Sequence, residues 1–419
     1  MKKSGSIFIL LSFVVLLSCQ HRKDQRVENT LEKGITERVY DRTYPSVFMA
    51  WYNIDMPEFP LDTEEQRIKT AAMHDLMWEE PLSQLGEGVD LVLGLIWEGK
   101  HHGLSSSFEE ESLTKALRNR KKLLEYNPNM ITLLEVRWRD APMSFLPEES
   151  EWWLRDDQGE IVKGWLGGWE PFYKLDYSNP DFQDNVARQS GIAVESGVYD
   201  GIMLDWSGHL EIIEKVRAAI GPDKLIIVNI HDNIEDGKKY KDLINGSFME
   251  LNPIDSHSIP VEELVILGRE DHNKGNWDQV QEALLWFEEN LLPPQVNCLE
   301  VWGNRKDLRR MRATTTLGLT HSDGYVLYAD PNPLATPDHM HDWYPFWDIK
   351  LGKPLARKTV KEDGSVWREF EGGTVVYNHF LNGEVSLKFG ENKKRVSTGE
   401  VANTFMLRER DGDIFIAIE

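Results

Sequence analysis

Two carboxylates that follow apolar runs of strand length could carry out acid/base chemistry. Asp205 ends the run in "YDGIMLDWSG", and Glu250 lies near the end of "GSFMELNP". Such apolar runs are typical of strands buried on both faces, and a carboxylate at the carboxyl end lies at the rim where α/β folds place their active sites. A pair of carboxylates at neighbouring strand ends is the minimum for hydrolysis of a glycosidic bond. We therefore predict Asp205 as nucleophile or base and Glu250 as general acid.

The neighbours of the two carboxylates fit these roles. Leu204 and Trp206 flank Asp205, and Phe248 precedes the strand end at Glu250. An apolar environment raises the pKa of a carboxylic acid towards the range that suits proton donation. Ordinary structural roles are open for both residues. Asp205 could cap the following helix or pair with an arginine, and Glu250 could hydrogen-bond a neighbouring loop.

Other polar and aromatic residues near predicted strand ends are expected to hold sugar hydroxyls. Amide, carboxylate and guanidinium groups supply the directional hydrogen bonds that such a substrate needs. The predicted substrate-binding residues are Asp55, Glu98, Arg137, Asp140, Trp206, Asn229, His231, Glu300, Trp302 and Asp330. Any one of them could instead form an ordinary ion pair of the fold.

No cofactor and no metal are expected. Histidines occur at close spacing in "PDHMHDW", but a zinc site usually needs three or more converging ligands, and barrel hydrolases of the amidohydrolase type carry their His-x-His on the first strand. The first strand here reads "FMAWYNID". A Gly-x-Ser-x-Gly elbow, a phosphate loop and a dinucleotide fingerprint are also missing from the sequence. A metal-dependent barrel hydrolase acting on amide bonds is a remaining alternative.

The elements that must position these residues are apolar runs separated mostly by segments with helical periodicity. The predicted strands are "PSVFMAWYNID", "DLVLGLIWEG", "MITLLEVRWRD", "GIMLDWSG", "KLIIVNIHD", "GSFMELNP", "PQVNCLEVWG" and "DGYVLYAD". Because these runs are continuously apolar, both sheet faces should be covered, which predicts an α/β fold of the (β/α)8 TIM-barrel type. An open doubly wound sheet is the structural alternative.

A long connection between the third strand and its helix is rich in aromatic residues. Long loops in compact domains usually serve as lids or binding loops. Rings over the barrel mouth could stack on sugars or could simply hold the loop in place. The aromatic residues of this segment, 141–178, are Trp152, Trp153, Trp165, Trp169, Phe172, Tyr173 and Tyr177.

The end of the chain has a different pattern. Short alternating strands with polar turns begin near Leu355, for example "TVVYNHFLNG" and "DIFIAIE". This pattern predicts a small C-terminal antiparallel β domain. We expect the barrel to occupy residues 43–352 and the C-terminal part, a β-sandwich, residues 353–419.

The N-terminus has the pattern of a bacterial lipoprotein signal peptide. Two lysines precede an apolar run too short to span a bilayer, and "LLSC" places Cys19 where a lipid would be attached; a simple secretory signal is the alternative. We expect residues 1–18 to be removed and residues 19–42 to form a polar tether. The protein would then lie outside the cytoplasm in a bacterial cell envelope, anchored by lipid in the periplasm or on the outer-membrane surface.

Charge and cysteine content narrow the classes of partner. Loss of Lys2 and Lys3 with the signal changes the formal charge from −23 to −25, which argues against nucleic-acid binding. If Cys19 is acylated, Cys298 has no intramolecular partner and is expected to be a core residue.

The motifs together resemble a family of bacterial glycoside hydrolases called hypothetical glycosyl hydrolase family fifteen. The resemblance covers nearly the whole mature chain and rests on "PSVFMAWYNID", "EWWLRDDQGEIVKGW", "LDYSNPDFQDNVA", "YDGIMLDWSG", "GSFMELNP" and "WREFEGGTVVYNHF". It implies a TIM barrel related to α-galactosidase and polygalactosaminidase-like barrels, with a nucleophilic Asp205 on strand four and an acid on strand six. In α-galactosidases the strand-six acid is an Asp, whereas this chain has Glu250. A non-catalytic glycan-binding lipoprotein with a degenerate barrel is the alternative function.

Overall fold

The computed structural model describes residues 33–80, 91–165, 171–206, 208–252, 277–330, 339–379 and 381–418. The predicted signal peptide, Cys19 and Trp169 lie outside the described residues. The helices run in chain order as α1 Ile35–Asp41, α2 Glu64–Ala71, α3 Glu110–Tyr126, α4 Pro180–Glu195, α5 Leu210–Ile220, α6 Ile234–Tyr240, α7 Trp277–Asn290 and α8 Leu308–His321. Within the described part of the chain, no helix is long and apolar enough to cross a membrane.

An eight-stranded parallel sheet forms the barrel. Its strands, in sheet order, are β1 Phe48–Ala50, β2 Leu76–Glu79, β3 Ile131–Glu135, β6 Gly201–Leu204, β7 Leu225–Asn229, β8 Gly246–Leu251, β9 Cys298–Trp302 and β10 Tyr325–Ala329. A parallel bridge between Val47 and Val326 joins the two ends of the sheet. Every residue of these strands is buried, which explains why the strands read as continuous apolar runs. The predicted TIM-barrel fold is confirmed.

The second barrel strand is not the one predicted. β2 lies at Leu76–Glu79, whereas "DLVLGLIWEG" forms no barrel strand in its described part, residues 91–99. Gly94 in that segment has a φ of 77°, which interrupts an extended strand, and Trp97 instead bridges to Phe108. Contrary to the expectation from the sequence, Glu98 therefore does not follow the second strand. It is exposed and accepts a hydrogen bond from the Ser107 hydroxyl.

Glycines allow close approach of the strands that carry the two candidate catalytic residues. A Cβ atom on Gly201, at the start of β6, would lie 2.2 Å from the carbonyl oxygen of Leu225. A Cβ atom on Gly246, at the start of β8, would lie 2.4 Å from the carbonyl oxygen of Val296. Only glycine fits at these positions without moving the neighbouring backbone.

The predicted tether does not extend to residue 42. Residues 35–41 form α1, and the chain from Ile35 onward belongs to one compact unit. Arg38 of α1 is buried, donates to the Met130 carbonyl at 2.6 Å and pairs with Asp200, which precedes β6. A buried ion pair fixes this helix, so the polar sequence of the segment gave the wrong expectation for these residues.

The C-terminal strands are antiparallel, as predicted, but in the described residues they form one continuous sheet rather than the two separate sheets of the expected β-sandwich. Its order is β11 Thr359–Val360, β12 Val366–Phe370, β13 Gly373–Asn378, β16 Asp411–Ala417, β14 Val385–Arg395 and β15 Val401–Leu407. Val375 and Ile414 face the main core, whereas Val376 and Phe415 belong to a second small core shared with β14 and β15. A two-stranded sheet of β4 Asp140–Pro142 and β5 Phe172–Lys174 lies within the aromatic segment after β3.

Candidate active site

Asn229 joins the two predicted catalytic carboxylates. Its Nδ2 donates to Asp205 Oδ1 at 2.9 Å and to Glu250 Oε2 at 2.9 Å. Asn229 ends β7, which lies between β6 and β8 in the barrel sheet, so the strand order places the amide between the two acids. Asp205, Asn229 and Glu250, each predicted from its own strand end, therefore lie together at the carboxyl-terminal rim of the barrel.

Glu250 is held in its protonated form near neutral pH. Burial raises the pKa of its carboxyl to about 8, and the charges of Asp205 and Glu300 add to this rise. His339 and the hydrogen bond from Asn229 act in the opposite direction. A carboxylic acid that keeps its proton at neutral pH can act as a general acid.

Asp205 has more groups that stabilise its ionised form. Burial raises the pKa of its carboxyl, whereas Asn229, Arg137, the Trp206 backbone N–H and Arg139 lower it. The strand end is also held through its backbone, since the Trp138 indole donates to the Asp205 carbonyl at 2.8 Å. Two carboxyls in different environments are the usual basis for separate acid and nucleophile roles.

Arg137 forms ion pairs with acidic residues of the barrel wall. It pairs with Glu80, and it lies 3.6 Å from Glu135 Oε1 and 3.8 Å from Asp140 Oδ1. Arg137 and Asp140 were predicted to hold sugar hydroxyls, but in this structure their charges face each other. Burial raises the pKa of Glu135 well above its usual range, and the Trp51 indole donates to its carboxylate.

Glu80 and Glu135 were missed by the sequence analysis. Glu80 directly follows the true second strand, so correct assignment of β2 would have found it. Glu135 is the last residue of β3 and was hidden inside an apolar run. Both carboxyls face Asp205 closely enough to affect, or be affected by, its charge.

A second group of polar side chains approaches Glu250 from the neighbouring strand β9 and from the chain after β10. His339 Nδ1 lies 3.0 Å from both carboxylate oxygens of Glu300, and His339 Nε2 lies 3.8 Å from Glu250 Oε1. All three residues are buried. Their ligand-type atoms lie within 4.8 Å of one another, but the two nitrogens of one imidazole face two different carboxylates. The imidazole is therefore hydrogen-bonded to Glu300 and within ion-pair distance of Glu250, and we assign the group no metal ion.

Two predicted substrate-binding residues are engaged elsewhere on the rim. Arg305 lies 3.0 Å from Asp55 Oδ2, 3.0 Å from Asp330 Oδ2 and 2.9 Å from Asp342 Oδ1. This ion-pair cluster offers the structural role that was left open for Asp55 and Asp330. Arg305 and Asp342 were not predicted from the sequence.

The remaining predicted residues line or support the site. His231 Nδ1 lies 3.1 Å from the Glu250 carbonyl oxygen, and Trp302 is buried with its ring 6.4 Å from that of His339. The Arg139 guanidinium stacks 3.5 Å from the Trp206 ring centroid, beside Asp205. The carboxylate of Glu300 is hydrogen-bonded to His339.

Backbone strain is concentrated at this rim. Trp51, Trp206, His231 and His339 are non-glycine residues with φ values of 54°, 64°, 52° and 59°. Such conformations cost about 1–3 kcal/mol each and persist where the surrounding structure imposes them, often at functional sites. Their clustering around Asp205 and Glu250 sets this rim apart as the candidate site.

The aromatic segment after β3 is largely a packed structure. Trp153 and Phe172 are buried, and the Arg137 guanidinium lies 4.8 Å from the Phe172 ring centroid. Trp165 is half-buried against Phe172, and its backbone N–H donates to Asp140. Among the described aromatic residues of this segment, Tyr177 has the largest exposed fraction, 36% of its surface. These contacts favour the interpretation that most rings hold the segment in place.

No protein-family model matches the sequence, and no curated protein matches it. Solved structures share its fold at low identity. An α-amylase from Malbranchea cinnamomea is 14% identical over 92% of this chain and 97% of its own, with a TM-score of 0.52. An α-amylase from Lactobacillus plantarum is 13% identical over 92% and 100%, with a TM-score of 0.51. The noncanonic maltogenic α-amylase AmyB from Thermotoga neapolitana is 13% identical over 90% and 100%, with a TM-score of 0.50.

Proposed function

We propose that this protein is a glycoside hydrolase that cleaves an oligo- or polysaccharide, with Asp205 as nucleophile and Glu250 as general acid. The observation that carries the proposal is the bridge from Asn229 to both carboxylates, each at 2.9 Å. The amylase names of the structures with the same barrel agree with this class of reaction. The site's own carboxylates support it independently of those names.

In the proposed reaction, Glu250 donates its proton to the oxygen of the leaving sugar while the bond between that oxygen and the anomeric carbon breaks. The electron pair of the broken bond stays with the leaving oxygen. Asp205 attacks the anomeric carbon, and the resulting ester is hydrolysed by water whose proton returns to Glu250. No metal or cofactor enters these steps.

Amide geometry supports the retaining outcome. The two N–H bonds of a primary amide diverge by about 120°, so acceptors at hydrogen-bond distance on each are about 5 Å apart. Retaining glycosidases have carboxyl groups about 5–5.5 Å apart, whereas inverting enzymes need about 6.5–9.5 Å to admit a water. The shared amide of Asn229 therefore favours Asp205 as nucleophile over Asp205 as base.

The test is cleavage of a glycan panel by the purified protein, with product analysis by NMR to read the anomeric configuration. Asp205→Asn and Glu250→Gln should each lower kcat by at least about a thousandfold, in keeping with the loss of a catalytic group. Matched controls are Asp242→Asn and Glu235→Gln, whose side chains are 80% and 75% exposed. Full activity in both site variants would contradict the assignment.

The same panel distinguishes the alternative functions. A non-catalytic glycan-binding protein would retain glycan without releasing product, in the wild type as well as in the variants. A metal-dependent hydrolase acting on amide bonds would lose its activity on treatment with a chelator. The proximity of the two carboxylates around one amide favours the enzyme over the binding protein.

We also propose lipid anchoring at Cys19 and a location outside the cytoplasm of a bacterium, supported by the signal-like sequence of residues 1–19. Labelling of cells with a radioactive fatty acid should mark the wild-type protein. It should not mark a Cys19→Ala variant, and equal labelling of both would contradict the proposed anchor.

A further inference from the structure

We propose that His339, held by Glu300, is a positioning residue that controls when Glu250 carries its proton. This inference rests on the proposed function, because it concerns the protonation of the proposed acid during the reaction. Glu300 and His339 lie beyond the pair formed by Asp205 and Glu250, and the reaction as described above does not use them. Their geometry connects them to Glu250 through the imidazole.

The imidazole is fixed on both sides. His339 Nδ1 lies 3.0 Å from Glu300 Oε1 and Oε2, so Nδ1 carries a hydrogen that it donates to this fully buried carboxylate. The ring is therefore oriented with Nε2 towards Glu250 Oε1, at 3.8 Å. Hydrogen bonds of catalytic groups are often long without substrate and shorten in the complex.

Aromatic rings and two carboxylates surround the imidazole of His339. The ring lies 4.6 Å from the ring of Trp51, a distance at which an aromatic ring attracts a cation. Phe248 and Trp302 pack on other sides of the ring and bring no charge. Glu300 and Glu250 are the carboxylates that pair with the imidazole.

Charged groups of the described residues act on Glu250 in both directions. Asp205, on the adjacent side of the Asn229 amide, and Glu300 both oppose ionisation of Glu250, whereas His339 favours it. After Glu250 gives its proton to the leaving oxygen, the new carboxylate lies beside Nε2 of His339. When water attacks the glycosyl ester, Glu250 takes the proton released by that water. His339 stabilises the intermediate state without transferring the proton to the sugar.

An NMR experiment measures the protonation of the Glu250 and His339 side chains directly, so its result does not depend on activity. The full chain is labelled with carboxyl-13C glutamate and 15N histidine, and NMR spectra are recorded from pH 5 to 10. Spectra of Glu250→Gln and His339→Gln assign the signals. We expect His339 Nδ1 to stay protonated throughout and Nε2 to shift over the pH range in which Glu250 titrates.

The variant gives a second readout. In His339→Gln the pKa of Glu250 should rise by at least about one pH unit, because the group that favours its ionisation is gone. The basic limb of the kcat profile should move by the same amount, with KM nearly unchanged. The matched control is His321→Gln, which also removes a buried histidine but lies on α8. It should leave the titration of Glu250 where it is.

The outcomes separate the two proposals. A wild type with the expected titration but without glycan cleavage would contradict the proposed function and leave the coupling of His339 to Glu250 established. An unprotonated Nδ1, or an Nε2 signal that ignores the titration of Glu250, would overturn the role of His339 even in an active enzyme. If His339→Gln does not fold, His339→Asn assigns the His339 signals, and the wild-type titration then decides. A shift of the His339 signals on addition of Zn²⁺, with inhibition by chelator, would also overturn it.

Discussion

Replacement of Glu250 by glutamine should stabilise the protein at alkaline pH while it removes activity. Burial raises the pKa of this carboxyl from 4.5 to about 8 in the folded state. Between these two pH values the folded state keeps a proton that the unfolded state has released. The contribution to stability is therefore complete below pH 4.5 and is lost as the pH rises through about 8.

The magnitude follows from the width of this window. Each pH unit over which the folded state holds one additional proton lowers the unfolding free energy by about 1.4 kcal/mol. Over the whole window from pH 4.5 to about 8, the loss reaches at most about 5 kcal/mol. Glutamine stays neutral at every pH, keeps an oxygen that accepts from Asn229 and has nearly the same shape. Glu250→Gln should therefore match the wild type near pH 5 and exceed its stability by about 2–5 kcal/mol at pH 9.

Urea unfolding followed by tryptophan fluorescence at pH 5, 7 and 9 measures this difference. The exposed Glu235→Gln serves as control and should follow the wild type at each pH. The reasoning is refuted if wild type and Glu250→Gln lose stability in parallel between pH 5 and pH 9. Such a result would mean that the buried carboxyl ionises in the folded state as easily as in the unfolded chain.

Two further substitutions test the contacts that hold the site. Arg137→Met should lower the unfolding free energy at pH 7 by about 3–5 kcal/mol, because the buried glutamates that it pairs lose their cation. Arg118→Met, in an exposed pair, should change it by less than about 1 kcal/mol. Gly201→Ala should cost at least about 2 kcal/mol because its Cβ would overlap the neighbouring strand, whereas Gly34→Ala has open space and should be nearly neutral. Urea unfolding measures all four, and equal effects within either pair would contradict the stated contact.

The barrel was predictable because burial on both faces produces a continuous apolar run for each strand. Seven of the predicted strands coincide with observed ones, and these include the three strands that carry Asp205, Asn229 and Glu250. The second strand was missed because its buried run at Leu76–Glu79 is short, while the segment around Gly94 is longer and more apolar. Apolar length alone could not reveal that Gly94 turns the chain away from the sheet.

The site was predictable only where each functional residue follows its own strand. Asn229 and Glu250 meet this condition, but the bridge between them depends on strand order and could not be read from either run alone. His339 lies in the chain after β10 but not next to the strand end at Ala329, whereas its neighbour Glu300 lies on β9, in register with Glu250 of β8. From its sequence context, His339 was interpretable only as a metal ligand in the wrong position. The spacing of residues around His339 in the sequence gave no indication of its contact with Glu300.

The balance of buried charge explains why carboxyl groups at this rim stay protonated at a higher pH than usual. Its acidic side chains outnumber its cationic partners, and a buried carboxylate without a cation is costlier than a neutral carboxylic acid. The acids are Glu80, Glu135, Asp205, Glu250 and Glu300, and the cationic or potentially cationic groups in contact with them are Arg137, Arg139 and His339. Arg137 is shared by Glu80 and Glu135, and Arg139 supports Asp205. Burial raises the pKa of both Glu135 and Glu250, and Glu250 is the one of these two that shares the Asn229 amide with Asp205. Glu250 is therefore the buried acid that lies beside the proposed nucleophile and is placed to give a proton to a leaving sugar.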